Sequence, residues 1–182
     1  GKGWSFGFKS KIYNKDEMKV VELPNGSIYT YTITMAPDLT YTANNSRTRL
    51  VGTDTGYILT TKENVKYIFN ENYLVGIQDK YGNMVDITID SDGQITGISD
   101  YRGLEYVLGY EYDKIKTITD PLGNVVEYTY DALQRLTEVS LPNGSKKTYS
   151  YNNQGLLINK KELDSNENIV SNEDITYEED GK

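Results

Sequence analysis

The 182-residue chain contains no cysteine and no histidine. Their absence removes Ser-His-Asp and Cys-His nucleophile pairs, Cys/His zinc sites, disulfides, iron–sulfur clusters and haem attachment. Phe and Trp are scarce, at 3 and 1 residues, and no stretch approaches the ~20 apolar residues that cross a bilayer as a helix. Basic residues are outnumbered 19 to 27, for a net charge of −8. An acidic chain suits a phosphate backbone poorly, so no nucleic-acid partner is expected. The chain opens on Gly1 with neither Met nor a charged-then-apolar leader, which reads as a fragment of a longer protein.

What the chain does have is tyrosine. Its 17 Tyr and 16 Gly, set among many Thr, Ile and Val, are the vocabulary of strands and turns. No amphipathic helix of convincing length appears.

From residue 79 onward the sequence repeats. Asp79-Lys80-Tyr81-Gly82-Asn83 is echoed by Asp100-Tyr101-Arg102-Gly103-Leu104, Asp120-Pro121-Leu122-Gly123-Asn124 and Leu141-Pro142-Asn143-Gly144-Ser145. A final version, Asp164-Ser165-Asn166-Glu167-Asn168, has Glu167 where Gly belongs. Between these lies a second marker, an aromatic or apolar pair two apart followed by Asp or Asn. Its versions are Tyr67-Ile68-Phe69-Asn70, Ile87-Thr88-Ile89-Asp90, Tyr110-Glu111-Tyr112-Asp113, Tyr128-Thr129-Tyr130-Asp131 and Tyr149-Ser150-Tyr151-Asn152. Gly follows three residues later at Gly93 and Gly155, Gln134 stands there after Asp131, and the Asp113 version is one residue short.

Two strands and two tight turns in ~20 residues make one β-hairpin per repeat. Side chains alternate across a strand, so Tyr128 and Tyr130 share a face while Glu127 and Thr129 take the other. Neighbouring versions are then expected to stack Tyr beside Tyr. Gly123, Gly144 and Gly155 supply positive φ in turns, and Asp131 and Asn152 cap the turn backbone. The apolar pairs Leu74/Ile77, Ile95/Ile98, Ile115/Ile118 and Leu136/Val139 are spaced by three. A flat strand with one buried face does not give that spacing. Either a bulge intervenes or the two members face opposite sides, and both readings stand.

Residues 1–63 are less regular. Leu23-Pro24-Asn25-Gly26-Ser27 matches 141–145 letter for letter, and Gly56–Thr61 with Val65–Phe69 reads as a hairpin. The chain thus divides into an opening segment of irregular hairpins, 1–63, and hairpin repeats, 64–182, the last version, around Ile175-Thr176-Tyr177, being truncated. The fold class is all-β, with successive antiparallel hairpins forming one curved or spiralling repeat sheet.

The Tyr-x-Tyr-Asp-x-x-Gly unit, interleaved with Asp-Pro-x-Gly-Asn turns, resembles the RHS/YD repeat; Asp120–Leu141 is its clearest version. Gly1, Gly3 and Trp4 look like the Gly-x-Gly-Trp segment that precedes such repeats. The resemblance implies a structural module of a large secreted or bacterial cell-surface protein, as in wall-associated and polymorphic toxins, toxin-complex subunits and teneurins. It further implies a β-shell that encloses a C-terminal toxin or effector, so the partners would be the rest of the shell and that effector.

Other chemistry competes with this reading. Tyr rows with nearby Asp and Asn also suit a carbohydrate-binding or adhesion surface, which makes a glycan the alternative partner. Paired carboxylates can hydrolyse glycosides without His. Here, however, the Asp recurs in each marker, as turn residues do and catalytic residues do not, so no enzymatic activity is expected. Asp164–Asn168 has alternating oxygen ligands, but Ile169 stands where a calcium loop needs Gly, so neither metal nor cofactor is expected. Trp4 reads as a plug against the first hairpin. An open last strand near Ile175–Gly181 is expected to fray or self-associate.

Overall fold

The computed structural model describes residues 10–32, 40–43 and 47–177. The expected opening motif Gly1, Gly3 and Trp4 lies outside them. Among the described residues there are seventeen strands and no helix. They are β1 (Lys11–Lys15), β2 (Met18–Glu22), β3 (Ile28–Thr32), β4 (Thr40–Ala43), β5 (Thr48–Thr53), β6 (Gly56–Thr61), β7 (Lys66–Phe69), β8 (Leu74–Gln78), β9 (Met84–Ile89), β10 (Ile95–Asp100), β11 (Glu105–Glu111), β12 (Lys114–Thr119), β13 (Val125–Tyr130), β14 (Leu136–Ser140), β15 (Lys146–Tyr151), β16 (Leu157–Leu163) and β17 (Ile169–Asp174). From β1 to β10, and again from β11 to β17, each strand pairs antiparallel with the next. The fold is all-β, as the alternation of the sequence predicts. Two compact units divide within β11, one of residues 4–105 and the other chiefly of residues 106–182.

The first unit has a true core. Cross-strand registers place Ile12 beside Val21, Val21 beside Tyr29, and Leu50 beside Leu59. Ile12, Val21, Tyr31, Leu50, Leu59, Phe69 and Leu74 are all at most 2% exposed. Burying each such side chain contributes roughly 1.5–3 kcal/mol. The core is enclosed because the sheet of this unit turns back on itself. β1 pairs with β2 along one side, and on its other side the Ile12 N–H donates to the Asn72 carbonyl at 2.9 Å while the Leu74 N–H donates to the Ser10 carbonyl at 3.3 Å. Tyr31, wholly buried, satisfies its hydroxyl on Thr48 Oγ1 at 2.6 Å.

The second unit is different. Its described strands bury few residues, Leu108 and Val139 being the buried hydrophobic side chains. β13 alternates strictly, with Val126, Tyr128 and Tyr130 half-buried and Val125, Glu127 and Thr129 exposed.

One turn serves ten of the strand connections among the described residues. In Asp120–Asn124 the N–H of the first residue donates to the carbonyl of the fifth, and the N–H of the fourth donates back to the first. The same pair of bonds closes the turns that begin at Leu23, Thr61, Asp79, Asp90, Asp100, Asp131, Leu141, Asn152 and Asp164. The fourth residue needs positive φ, which Gly adopts without strain. Gly123, Gly144 and Gly155 sit at φ 86°, 83° and 80°, while Gln134 and Glu167 are held at 58° and 65° despite their side chains. The two sequence markers are therefore the same turn, met alternately.

Bulges settle the spacing of three. The registers pair Tyr130 with Leu136 and Thr129 with Glu138, which leaves Thr137 extra. Val139 then faces Tyr128, so both apolar residues lie on the tyrosine face. The same slip leaves Val75, Thr96, Lys116 and Ile158 extra after their turns. The register also corrects one expectation. Within the marker hairpins the neighbour of the last marker ring is an aliphatic residue rather than another ring, as in Phe69–Leu74, Tyr130–Leu136 and Tyr151–Leu157. Across β6–β7 Phe69 does face a ring, Tyr57, whereas in the second unit the next marker ring lies two strands away, because the repeat is two strands long.

A second correction concerns Tyr112 and Asp113. Leu108 pairs with Ile118 and Tyr110 with Ile115, so the marker pair here is Leu108 and Tyr110. Tyr112 sits in a two-residue turn at φ 57° and is 87% exposed. The shorter loop moves the marker two residues toward the N-terminus. Burial of Leu108, at 4% exposure, holds that register.

Candidate functional site

The groups that recur are the turn carboxylates and the tyrosine hydroxyls. Asp120 Oδ1 accepts the N–H groups of Leu122 at 2.8 Å and Asn124 at 2.9 Å. Its Oδ2 accepts from the Asn124 carboxamide at 2.8 Å. Asp131 accepts in the same way from Leu133 and Arg135, and Asn152 from Gln154 and Leu156. Leu141 has no acceptor to offer, and there Asn143 Oδ1 takes the Ser145 N–H at 3.0 Å instead. Leu23 is served likewise by Asn25 and Ser27. This substitution explains why the Leu-Pro-Asn-Gly-Ser turns carry Asn two places later.

These bonds hold the carboxylates ionised. The Asn83, Asn124 and Asn168 side chains hold Asp79, Asp120 and Asp164 below the usual carboxylate range. Arg102 does so for Asp100, and the Arg135 backbone N–H for Asp131. Asp113 caps no such turn; its carboxylate pairs with the neighbouring Lys114 ammonium, which lowers its pKa. A carboxylate whose oxygens already accept backbone N–H groups is poorly placed to act as a base or a metal ligand. Among the described residues no group of acidic side chains is arranged to hold a metal ion.

The tyrosine hydroxyls do something the sequence did not disclose. Tyr130 Oη donates to the Ile115 carbonyl at 2.9 Å, Tyr151 to the Leu136 carbonyl at 2.8 Å and Tyr177 to the Leu157 carbonyl at 3.0 Å. Each carbonyl belongs to the residue just before a bulge in the preceding hairpin. The β14–β15 register ends at Glu138–Thr148, so the strands have parted where Leu136 lies, and the phenol spans the gap. A Phe at that place would fill the volume and leave the carbonyl unmet. Burial raises the pKa of Tyr128, Tyr130 and Tyr151, which keeps the Tyr130 and Tyr151 donors protonated. Tyr128 and Tyr149 stand one pleat earlier, beside Val139 and Lys160.

Arg135 is a second residue the sequence reading missed. Its guanidinium pairs with Asp131 at 2.7 Å, lies 4.9 Å from the Tyr151 ring centroid and reaches the Asn152 carbonyl at 3.4 Å. It therefore ties one turn to the next along the same rim. A separate feature of the first unit is a cleft of about 340 Å³ lined by Val65, Ile77, Met84 and Val85 together with Asp79, Asp100 and Tyr101.

A chain of capped hairpins, bonded at Tyr130, Tyr151 and Tyr177 to the bulge before, defines a β-hairpin repeat protein. Residues 113–146 and 130–162 match the RHS Repeat family model. The repeats within residues 113–162 are thus of the RHS/YD type. A search of curated proteins finds no match. Among solved structures it is similar to the TcdB2-TccC3-Cdc42 crystal structure, with a TM-score of 0.54 and 14% identity over 89% of this chain and 11% of that one. It is also similar to the TcdB2-TccC3 crystal structure, with a TM-score of 0.53 and 14% identity over 88% of this chain and 12% of the other. The Photorhabdus luminescens Tc holotoxin pore gives a TM-score of 0.52 and 16% identity, over 82% of this chain and 10% of that chain. These likenesses establish a shared fold, and the chain spans about a tenth of the length of those proteins.

Proposed function

We propose that this RHS repeat module forms part of the wall of a larger secreted or cell-surface protein, a β-shell around a C-terminal toxin or effector. One observation carries the reading. The five-residue turn closes each connection from β8 to β17 except β11–β12, the same bulge recurs in β8, β10, β12, β14 and β16, and the Tyr130, Tyr151 and Tyr177 hydroxyls each bond to the hairpin before. Such a device extends a sheet by addition, and its length scales with copy number. The work of the chain in this reading is mechanical, without enzymatic activity, and its partners are the rest of the shell and the effector. In the full-length parent, limited proteolysis should leave the segment C-terminal to the repeats intact until the protein is denatured. Digestion of that segment at native pH, at the rate seen after denaturation, would overturn the enclosure.

A carbohydrate-binding surface is the second reading, and Tyr101 favours it. Tyr101 is 64% exposed and lines the cleft together with Asp79 and Asp100. Specific binding on a glycan array that disappears in Tyr101→Ala would support it, and a blank array would remove it. The last described strand, β17, has all six residues exposed and pairs with β16 on one side. Light scattering of this chain should therefore show concentration-dependent association through that edge.

A further inference from the structure

We infer that successive repeats are coupled at their turns, each turn receiving a hydroxyl donor from the segment that follows it. The three tyrosine bonds share a polarity. Tyr130, Tyr151 and Tyr177 all reach toward the N-terminus, to the carbonyl that ends the preceding turn on their own rim. The turns so served are Glu111–Lys114, Asp131–Arg135 and Asn152–Leu156. Arg135 reinforces the link from the other side, extending from the served turn onto Tyr151 and the Asn152 carbonyl. The bulge is the origin of the polarity. The extra residue always lies in the second strand of the hairpin, and the carbonyl before it faces the segment that comes next. A hairpin alone closes its own turn without that phenol bond. The following hairpin, docking, supplies the missing donor.

The consequence is a nearest-neighbour coupling along the rim: loosening one hairpin takes the phenol donor from the turn before it and, at Arg135, the guanidinium contact from the turn after it.

Tyr151→Phe in the full chain tests this, because it keeps the ring and its cation contact with Arg135 and deletes the hydroxyl alone. Amide hydrogen exchange is expected to quicken about tenfold across Asp131–Leu136, the size of one lost buried hydrogen bond, with little change at Asn152–Leu156. Tyr177→Phe, at a more exposed position, should transfer the effect to Asn152–Leu157 and serves if the first variant folds poorly. Faster exchange in the variant's own following turn, or a uniform rise in both turns, would overturn the assignment of the phenol to the preceding turn.

Discussion

The two units solve the same problem differently. In residues 4–105 the sheet returns upon β1 and seals a core of fully buried Leu, Ile, Tyr and Phe. In residues 106–177 the strands lie in a regular succession with half-buried faces, joined by capped turns and tyrosine bonds. The comparison teaches that sequence regularity and packing need not rise together. The second unit reads as a clean repeat because every hairpin meets the same neighbour in the same way. The first reads as irregular because a closed core gives each position its own surroundings, and close packing rewards a different residue at each.

Core truncation should separate the units most. Leu59→Ala, at a wholly buried position, is expected to cost about 2–5 kcal/mol, whereas Val139→Ala in the repeat unit should cost about 1–2 kcal/mol. Chemical denaturation of both variants measures the gap, and equal losses would erase the distinction.

Glycine substitutions sharpen it. A Cβ at Gly56 would stand 2.1 Å from the Phe69 carbonyl oxygen, so Gly56→Ala must displace backbone. A Cβ at Gly123 meets nothing within 4 Å, and Gly123→Ala carries only the strain of φ 86°, about 1–2 kcal/mol. The first variant should lose several times more stability in a thermal melt than the second.

The smallest effects come from pH. Asp79, Asp100, Asp120, Asp131 and Asp164 titrate below ordinary carboxylates. The stability they contribute is complete above the unfolded-chain value of about 4 and is lost as pH falls through their lower folded values. Three of the five lie in the repeat unit, so residue-resolved NMR should show its turns loosening first in acid. Alkali acts in the opposite sense. Burial pushes Tyr31 up to about 12 and raises Tyr128, Tyr130 and Tyr151. Their contribution is complete below about pH 10 and is lost as pH rises through the folded values. The core around Tyr31 should therefore outlast ordinary tyrosine titration.

Much of the repeat was legible beforehand. Gly123, Gly144 and Gly155 mark positive φ, and Asp131 and Asn152 announce caps, because those conformations are local and few residues adopt them cheaply. Tyr112 was misplaced because a one-residue change in loop length alters register without altering the letters of the motif. The hydroxyl bonds of Tyr130 and Tyr151 were not readable at all. They depend on carbonyls fifteen residues away that become available only once a bulge has formed.

The amino-acid order by itself determined that the chain is a series of hairpins, where most turns fall and which face of each strand is apolar, since these follow from alternation and from the φ each turn requires. Only the tertiary structure decided which of Tyr110 and Tyr112 points inward, that the triplet spacing is a bulge, and that β1 closes the first unit on residues 72–74. Each of those outcomes is a choice of partner between distant segments, settled by whichever register buries its aliphatic side chains and leaves no carbonyl unmet.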